Sequence, residues 1–155
     1  MTVAARIKQY LDDSKIKYEV RVHDKTFTAQ GLARVEHISG KEVAKVVLLK
    51  TDKGAYAMVV LPAHKLVDMA HFKAASGAAA TLAPESDFQS LFPDCEIGAM
   101  TPFGNLYNMP VYADEALAKD EEIEFNAGTH TEAIRMKFAD FERLSRPKIC
   151  KLTAG

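Results

Sequence analysis

The sequence predicts an α/β protein of the α+β kind: a compact single domain over residues 1–155, in which a mixed, mainly antiparallel sheet is surrounded by helices. Three observations predict it. First, Val43 to Leu49 is an apolar run, Thr51-Asp52-Lys53-Gly54 reads as a tight turn, and Ala55 to Leu61 is a second apolar run, which together make an antiparallel hairpin at the centre of the chain. Second, segments with helical periodicity fall at irregular places among the other strand candidates, unlike the regular alternation of a doubly wound parallel sheet. Third, 155 residues with 48% hydrophobic and 26% charged side chains suffice for one core, and no linker, repeat or low-complexity tract divides them.

In chain order, Val3, Ile7, Tyr10 and Leu11 recur at helical spacing, which predicts an amphipathic helix from Val3 to Asp13. Tyr18, Val20 and Val22 alternate with Glu19 and Arg21 as in a half-exposed strand ending near His23. Thr26 or Thr28 can cap a second helix from about Ala29 to Glu36, carrying Leu32 and Val35. Gly40 punctuates before the central hairpin, which Pro62 ends. Leu66, Val67, Ala70 and Phe72 predict a helix from Leu66 to Ala75, stopped by Gly77. Ala79 to Leu82 is a short strand candidate, and Pro84 opens a helix running to about Leu91 and closed by Pro93. Asp94 to Asn108 reads as loop. Strands are then expected at Pro110 to Ala113, Ile123 to Asn126 and Ala133 to Met136, with a turn of helix at Glu115 to Leu117, a sharp turn at Ala127-Gly128-Thr129-His130 and a short helix over Phe138 to Leu144. The tail from Arg143 to Lys151 carries a mild basic excess.

Composition excludes several classes. A formal net charge of −1 argues against wrapping a nucleic acid over a large surface, though not against gripping its tip. No apolar run approaches the length that spans a bilayer, and the N-terminus lacks a signal peptide's apolar core and cleavage site, so a cytoplasmic protein without membrane contact is expected. Cys95 and Cys150 are too few and too far apart for a metal knuckle or a redox pair and read as reduced thiols. His23 and His37 stand at element ends, while His64 and His71 lie seven apart on one predicted helix, which is not a usual spacing for one metal. No zinc-protease, Walker A or Rossmann pattern occurs, and neither a metal nor a cofactor is expected. Ser39 and Ser76 lack an elbow motif, and Cys95 has no base beside it in sequence.

Three features can carry chemistry. Lys45 interrupts the apolar strand and shares a face with Val47 and Leu49, so it either snorkels to solvent or sits in a pocket as an ammonium aimed at a substrate oxygen. Gly98-Ala99-Met100-Thr101-Pro102 is a stiffened bend whose backbone can hold an oxyanion or a water, although most such loops are simply turns. His130 follows Gly128 and Thr129 at a strand end, where an imidazole serves either as a hydrogen-bonding group or base in a cleft or as the holder of its own loop.

A lysine in a V-A-K-V-V-L strand, a G-x-x-x-P loop and the segment N-A-G-T-H-T-E-A-I-R, in this order, resemble the YbaK and prolyl-tRNA synthetase-associated (insertion-type) editing domain family of free-standing aminoacyl-tRNA deacylases. LPAHKLVD, LFPDCEIGAMTPFG and MPVYADEAL also look like family segments, and the likeness runs from about Tyr18 to Leu144. The resemblance implies a compact α/β fold with a mixed sheet and hydrolysis of the ester between a wrong amino acid and the terminal adenosine of a tRNA. It implies a small amino acid as the edited group and the aminoacylated CCA end as partner, and leaves open whether an aminoacyl-tRNA synthetase is a second partner. Lys45 matches the family's strand lysine, needed for activity and placed near a phosphate or the carbonyl. Gly98 and Pro102 match the ends of the loop that positions ester and water, and His130 corresponds to a histidine or other polar residue found at this turn in some branches.

The mechanism so implied needs no covalent nucleophile, because the ester is already activated and the neighbouring ribose hydroxyl can assist the water. Lys45 would supply positive charge, the backbone from Gly98 through Ala99 and Met100 to Thr101 would supply dipoles, and Val47, Met58 or Met100 would wall the pocket, with Pro102, Gly128 and Thr129 completing the substrate contacts. Arg34, Arg143, Arg146, Lys148 and Lys151 are candidate phosphate contacts, or ordinary solvated charges. Two other readings keep the same residues: a non-catalytic module that binds an aminoacyl-adenosine or amino acid or docks on a synthetase, and a hydrolase of some other small acyl ester.

Overall fold

The computed structural model describes residues 3–23, 25, 29–35, 42–96 and 98–154. The expected caps Thr26 and Thr28, the helix end at Glu36, His37 and the break at Gly40 lie outside them. Helix α1 spans Val3–Asp13 and buries Ile7 and Leu11 completely, as its apolar spacing requires. Strand β1 is Tyr18–Val22 and helix α2 is Ala29–Val35. The central hairpin is β2, Ala44–Thr51, and β3, Tyr56–Pro62, in antiparallel register from Ala44 opposite Pro62 to Lys50 opposite Tyr56. Gly54 takes φ +80° in its turn, where the Thr51 hydroxyl accepts the Ala55 N–H at 3.1 Å.

Helix α3, Met69–Ser76, begins later than its apolar pattern suggests, because the Asp68 carboxylate accepts the N–H groups of Ala70 and His71 and so fixes the first turn there. His64 lies before the helix and only His71 lies on it, so the two histidines do not share one helix. Gly77 ends α3 at φ +78° with its N–H on the Lys73 carbonyl, as expected. Strand β4 is Ala80–Leu82. The helix expected after Pro84 is divided into a 3₁₀ turn, Glu85–Asp87, and a single α-turn, α4, Phe88–Leu91. Further 3₁₀ turns occupy Gly104–Tyr107 and Leu117–Lys119. Strands β5, Val111–Asp114, β6, Glu122–Asn126, and β7, Glu132–Lys137, are followed by α5, Phe138–Ser145. The basic tail holds one more strand, β8, Lys148–Cys150, whose mixed polarity over three residues hid it.

The fold is the mixed, mainly antiparallel α/β architecture that the sequence predicts, but its strands divide into two sheets. Among the described residues, one has the order β1-β7-β6 and the other β4-β2-β3-β5-β8; β3 runs parallel to β5 and β5 to β8, while the other pairings are antiparallel. Val43 bridges Glu124 just before β2, and the Glu124 N–H donates to the Glu42 carbonyl at 2.9 Å, so the sheets meet there. Periodicity identifies strands, not their partners, which is why two sheets read as one. The strand closed on both faces is β3, buried from Ala57 to Pro62, rather than β2, whose Lys45, Val46 and Val47 are only partly covered. The larger core has Phe103 at its centre, with the rings of Tyr10, Phe125 and Phe141 set edge-on to it at 5.8, 5.7 and 5.5 Å.

Candidate functional site

Ladder parity opens a site on β2. The Ala83 N–H donates to the Leu48 carbonyl at 2.9 Å, so even-numbered residues of β2 turn their peptide groups away from β3. Strand β4 pairs only with Leu49 to Thr51. The Val46 peptide groups therefore face an edge that no described strand covers. A pocket of about 280 Å³ lies at this edge, lined by Val46, Val47, Leu48, Leu82, Ala83, Glu85, Phe88, Gly98 and Met100. It is apolar apart from the exposed Glu85. Its size falls just below the roughly 300–1,000 Å³ usual for ligand pockets.

The bend that closes the pocket is anchored downstream by burial. Gly98 is exposed at φ +87°, a backbone that a side chain would strain. Ala99, Thr101, Pro102 and Phe103 are buried, and Met100 is 7% exposed. Gly104 fits so tightly that an added Cβ would stand 2.7 Å from Val111 Cγ2. Upstream, Arg6 of α1 pairs with Asp94 at 3.1 Å, donates to the Leu106 carbonyl at 2.7 Å and lies 4.9 Å over the Tyr107 ring. The Tyr107 hydroxyl donates to Asp94 at 3.0 Å and lies 3.3 Å from Cys95 Sγ. Burial pushes both the Cys95 thiol and the Tyr107 hydroxyl up from their ordinary values, so both stay protonated at neutral pH and Cys95 is a poor nucleophile.

Glu96 joins the bend to the turn bearing His130. Its N–H donates to the Gly128 carbonyl at 2.8 Å, and its carbonyl accepts the Ala99 N–H at 3.0 Å. One carboxylate oxygen accepts the His130 N–H at 3.2 Å and lies 3.7 Å from His130 Nε2. Gly128 turns at φ +92°, and His130 is 7% exposed against a half-exposed Glu96 side chain.

Lys45 stands opposite Leu61, on the face of β2 that it shares with Val47 and Leu49. It is half-buried, and no hydrogen bond or ion pair joins its ammonium to another described residue. Burial pushes that ammonium below the ordinary lysine value. Lys45 is next in the strand to the pocket-lining Val46, though its own side chain is not part of the lining.

Of the residues singled out from sequence, Val47, Gly98 and Met100 meet in the pocket. Glu96 ties this group to Gly128 and His130, with Thr129 between them. Met58 is fully buried in the core and does not line the pocket, nor do the enclosed Ala99 and Thr101. Glu85, Glu96 and Ala83 carry no such signal in the sequence, because a carboxylate in a helix's first turn or in a loop, or a lone alanine, reads as ordinary surface or filler. The distance in sequence between Glu96 and His130 held no cue to their meeting. Among the described residues no group of three histidine, cysteine or acidic side chains is placed to hold a metal ion, and no helix is long and apolar enough to cross a membrane.

Comparison with known proteins gives a consistent result. The family model for the aminoacyl-tRNA editing domain matches residues 23–144. The chain is 23% identical over 149 residues to the multifunctional Ser/Thr-tRNA deacylase ProXp-y of Escherichia coli (strain K12), covering 93% of this chain and 89% of that protein. Among solved structures, hypothetical protein APE2540 superposes with a TM-score of 0.88 at 15% identity, covering 96% of this chain and 99% of that one. A candidate trans-editing enzyme for prolyl tRNA synthetase superposes with a TM-score of 0.85 at 20% identity, covering 100% and 99%.

Proposed function

Because the chain belongs to the aminoacyl-tRNA editing domain family, we propose that it is a trans-acting deacylase that removes a small amino acid from a mischarged tRNA, working as one domain over residues 1–155 in the cytoplasm. The observation that carries this reading is the small apolar pocket that the Gly98 bend closes against the open edge of β2, one residue from Lys45. Water attacks the ester carbonyl, the bond to the ribose oxygen breaks, one of the water's protons goes to the leaving tRNA hydroxyl, and the other passes to solvent as the amino acid departs as its carboxylate. Lys45 and the peptide dipoles of the bend stabilise the developing oxyanion, the neighbouring ribose hydroxyl assists the water, and His130 positions the acceptor end.

The pocket walls Val46, Val47, Leu48, Ala83 and Met100 select by size. An apolar wall separates side chains differing by one methylene by only about 1–3 kcal/mol, so the filter is graded rather than absolute. The name of the Escherichia coli relative, a Ser/Thr-tRNA deacylase, supports a small residue as substrate. Glu85 at the rim suits the α-ammonium that every aminoacyl ester carries. Contact is with the CCA end of the tRNA, and an aminoacyl-tRNA synthetase that hands over or releases the mischarged tRNA is a fitting partner.

The test is a panel of tRNAs charged with labelled non-cognate amino acids, read as amino acid released with and without the protein and with a simple aminoacyl ester as comparison. Faster release of small than of large residues, dependent on the tRNA, is expected. No release from any charged tRNA, or equal turnover of the simple ester, overturns the reading.

A further inference from the structure

Resting on the deacylase reading above, we propose that Glu96 is a positioning residue: its carboxylate clasps the Gly98 bend to the Gly128–His130 turn and so sets the geometry in which the ester is held. The bend and the turn are far apart in sequence and belong to different parts of the fold, the bend following α4 and the turn joining β6 to β7. Glu96 reaches the turn twice, through its own N–H on the Gly128 carbonyl at 2.8 Å and through its carboxylate on the His130 N–H at 3.2 Å. The same oxygen lies 3.7 Å from His130 Nε2, beyond hydrogen-bond distance, so the carboxylate holds the backbone of the turn rather than the ring. On the other side, the Glu96 carbonyl accepts the Ala99 N–H at 3.0 Å and closes the turn that carries Gly98. A half-exposed carboxylate adds little to global stability, but here it is a side-chain link between two loops whose relative position decides where the carbonyl sits.

The roles divide cleanly by substitution. Glu96→Ala removes the carboxylate and leaves both backbone bonds of residue 96 in place. Glu96→Gln keeps an oxygen that accepts the His130 N–H. A small misplacement of reacting groups costs on the order of 100-fold in rate, so Glu96→Ala is expected to lower kcat by about that factor with KM changed by less than about threefold. Glu96→Gln should recover most of the loss. A second readout does not depend on turnover: amide hydrogen exchange at His130 should quicken at least about tenfold in Glu96→Ala, with Val59 in β3 unchanged. Unchanged kcat in Glu96→Ala, unchanged exchange at His130, or failure of Glu96→Gln to restore kcat would each overturn the clasp. A wild-type protein that releases no amino acid sinks the deacylase reading instead, and the exchange data then decide the clasp alone.

Discussion

Replacing Lys45 by methionine should affect activity and stability with opposite signs. Methionine keeps an unbranched stem of comparable reach and removes the charge. If the ammonium stabilises the developing oxyanion, its loss costs about 2.7–4 kcal/mol of transition-state stabilisation, on the order of 10²–10³ in kcat. Folding responds differently. Lys45 is half-buried without a partner among the described residues, and burial pushes its ammonium down. The folded protein thus binds this proton less tightly than the unfolded chain does. At pH below the folded-state value the lysine is charged in both states and the burial penalty is fully present. As pH rises through the folded-state value towards the ordinary lysine value, the penalty disappears. Solvent screens so partly exposed a group, so Lys45→Met should stabilise the fold by no more than about 1 kcal/mol at neutral pH, and by less in alkali. Single-turnover deacylation and denaturant unfolding at neutral and alkaline pH measure both effects. Full turnover refutes the catalytic role; a destabilisation above about 2 kcal/mol refutes the account of an unpartnered ammonium.

Gly104→Ala places a Cβ 2.7 Å from Val111 Cγ2 and 3.1 Å from the Met109 carbonyl, so thermal unfolding should show a loss of about 1–3 kcal/mol; an unchanged melting temperature contradicts it. The Thr101 hydroxyl is buried with no hydrogen-bond partner among the described residues, so Thr101→Val should be neutral or stabilising by up to about 1–2 kcal/mol in denaturant titration. A clear loss would mean that the hydroxyl has a partner. Glu85→Gln should raise KM for aminoacyl-tRNA by about two- to fivefold, the scale of an exposed charge pair, and leave the N-acetylated substrate unchanged; equal effects on both would remove Glu85 from ammonium recognition.

Local chemistry wrote much of this fold legibly. The Val3–Asp13 helix, the Tyr18–Val22 strand, the turn at Gly54 and the stop at Gly77 all follow from periodicity or from glycine geometry within a few residues. What escaped was set by partners distant in the chain. The three residues of β8 become a strand only because β5 offers an edge, and the two sheets separate only because β2 and β6 diverge beyond the Val43–Glu124 bridge. The site divides in the same way. Gly98 and Val47 stood out because a glycine and a strand face carry local signatures, whereas Glu96, Glu85 and Ala83 acquire meaning only from what folds against them.

The brace at Arg6 has a practical consequence for anyone excising this module. The stretch recognisable by family likeness begins at residue 23 and stops at residue 144, yet the guanidinium that steadies Asp94 and Tyr107 comes from the opening helix, and β8 comes from the closing tail. A fragment trimmed to that span would strip Ile7 and Leu11 from the core and unmoor the Gly98 loop from behind. Borders drawn by kinship are narrower here than the borders of the cooperative unit.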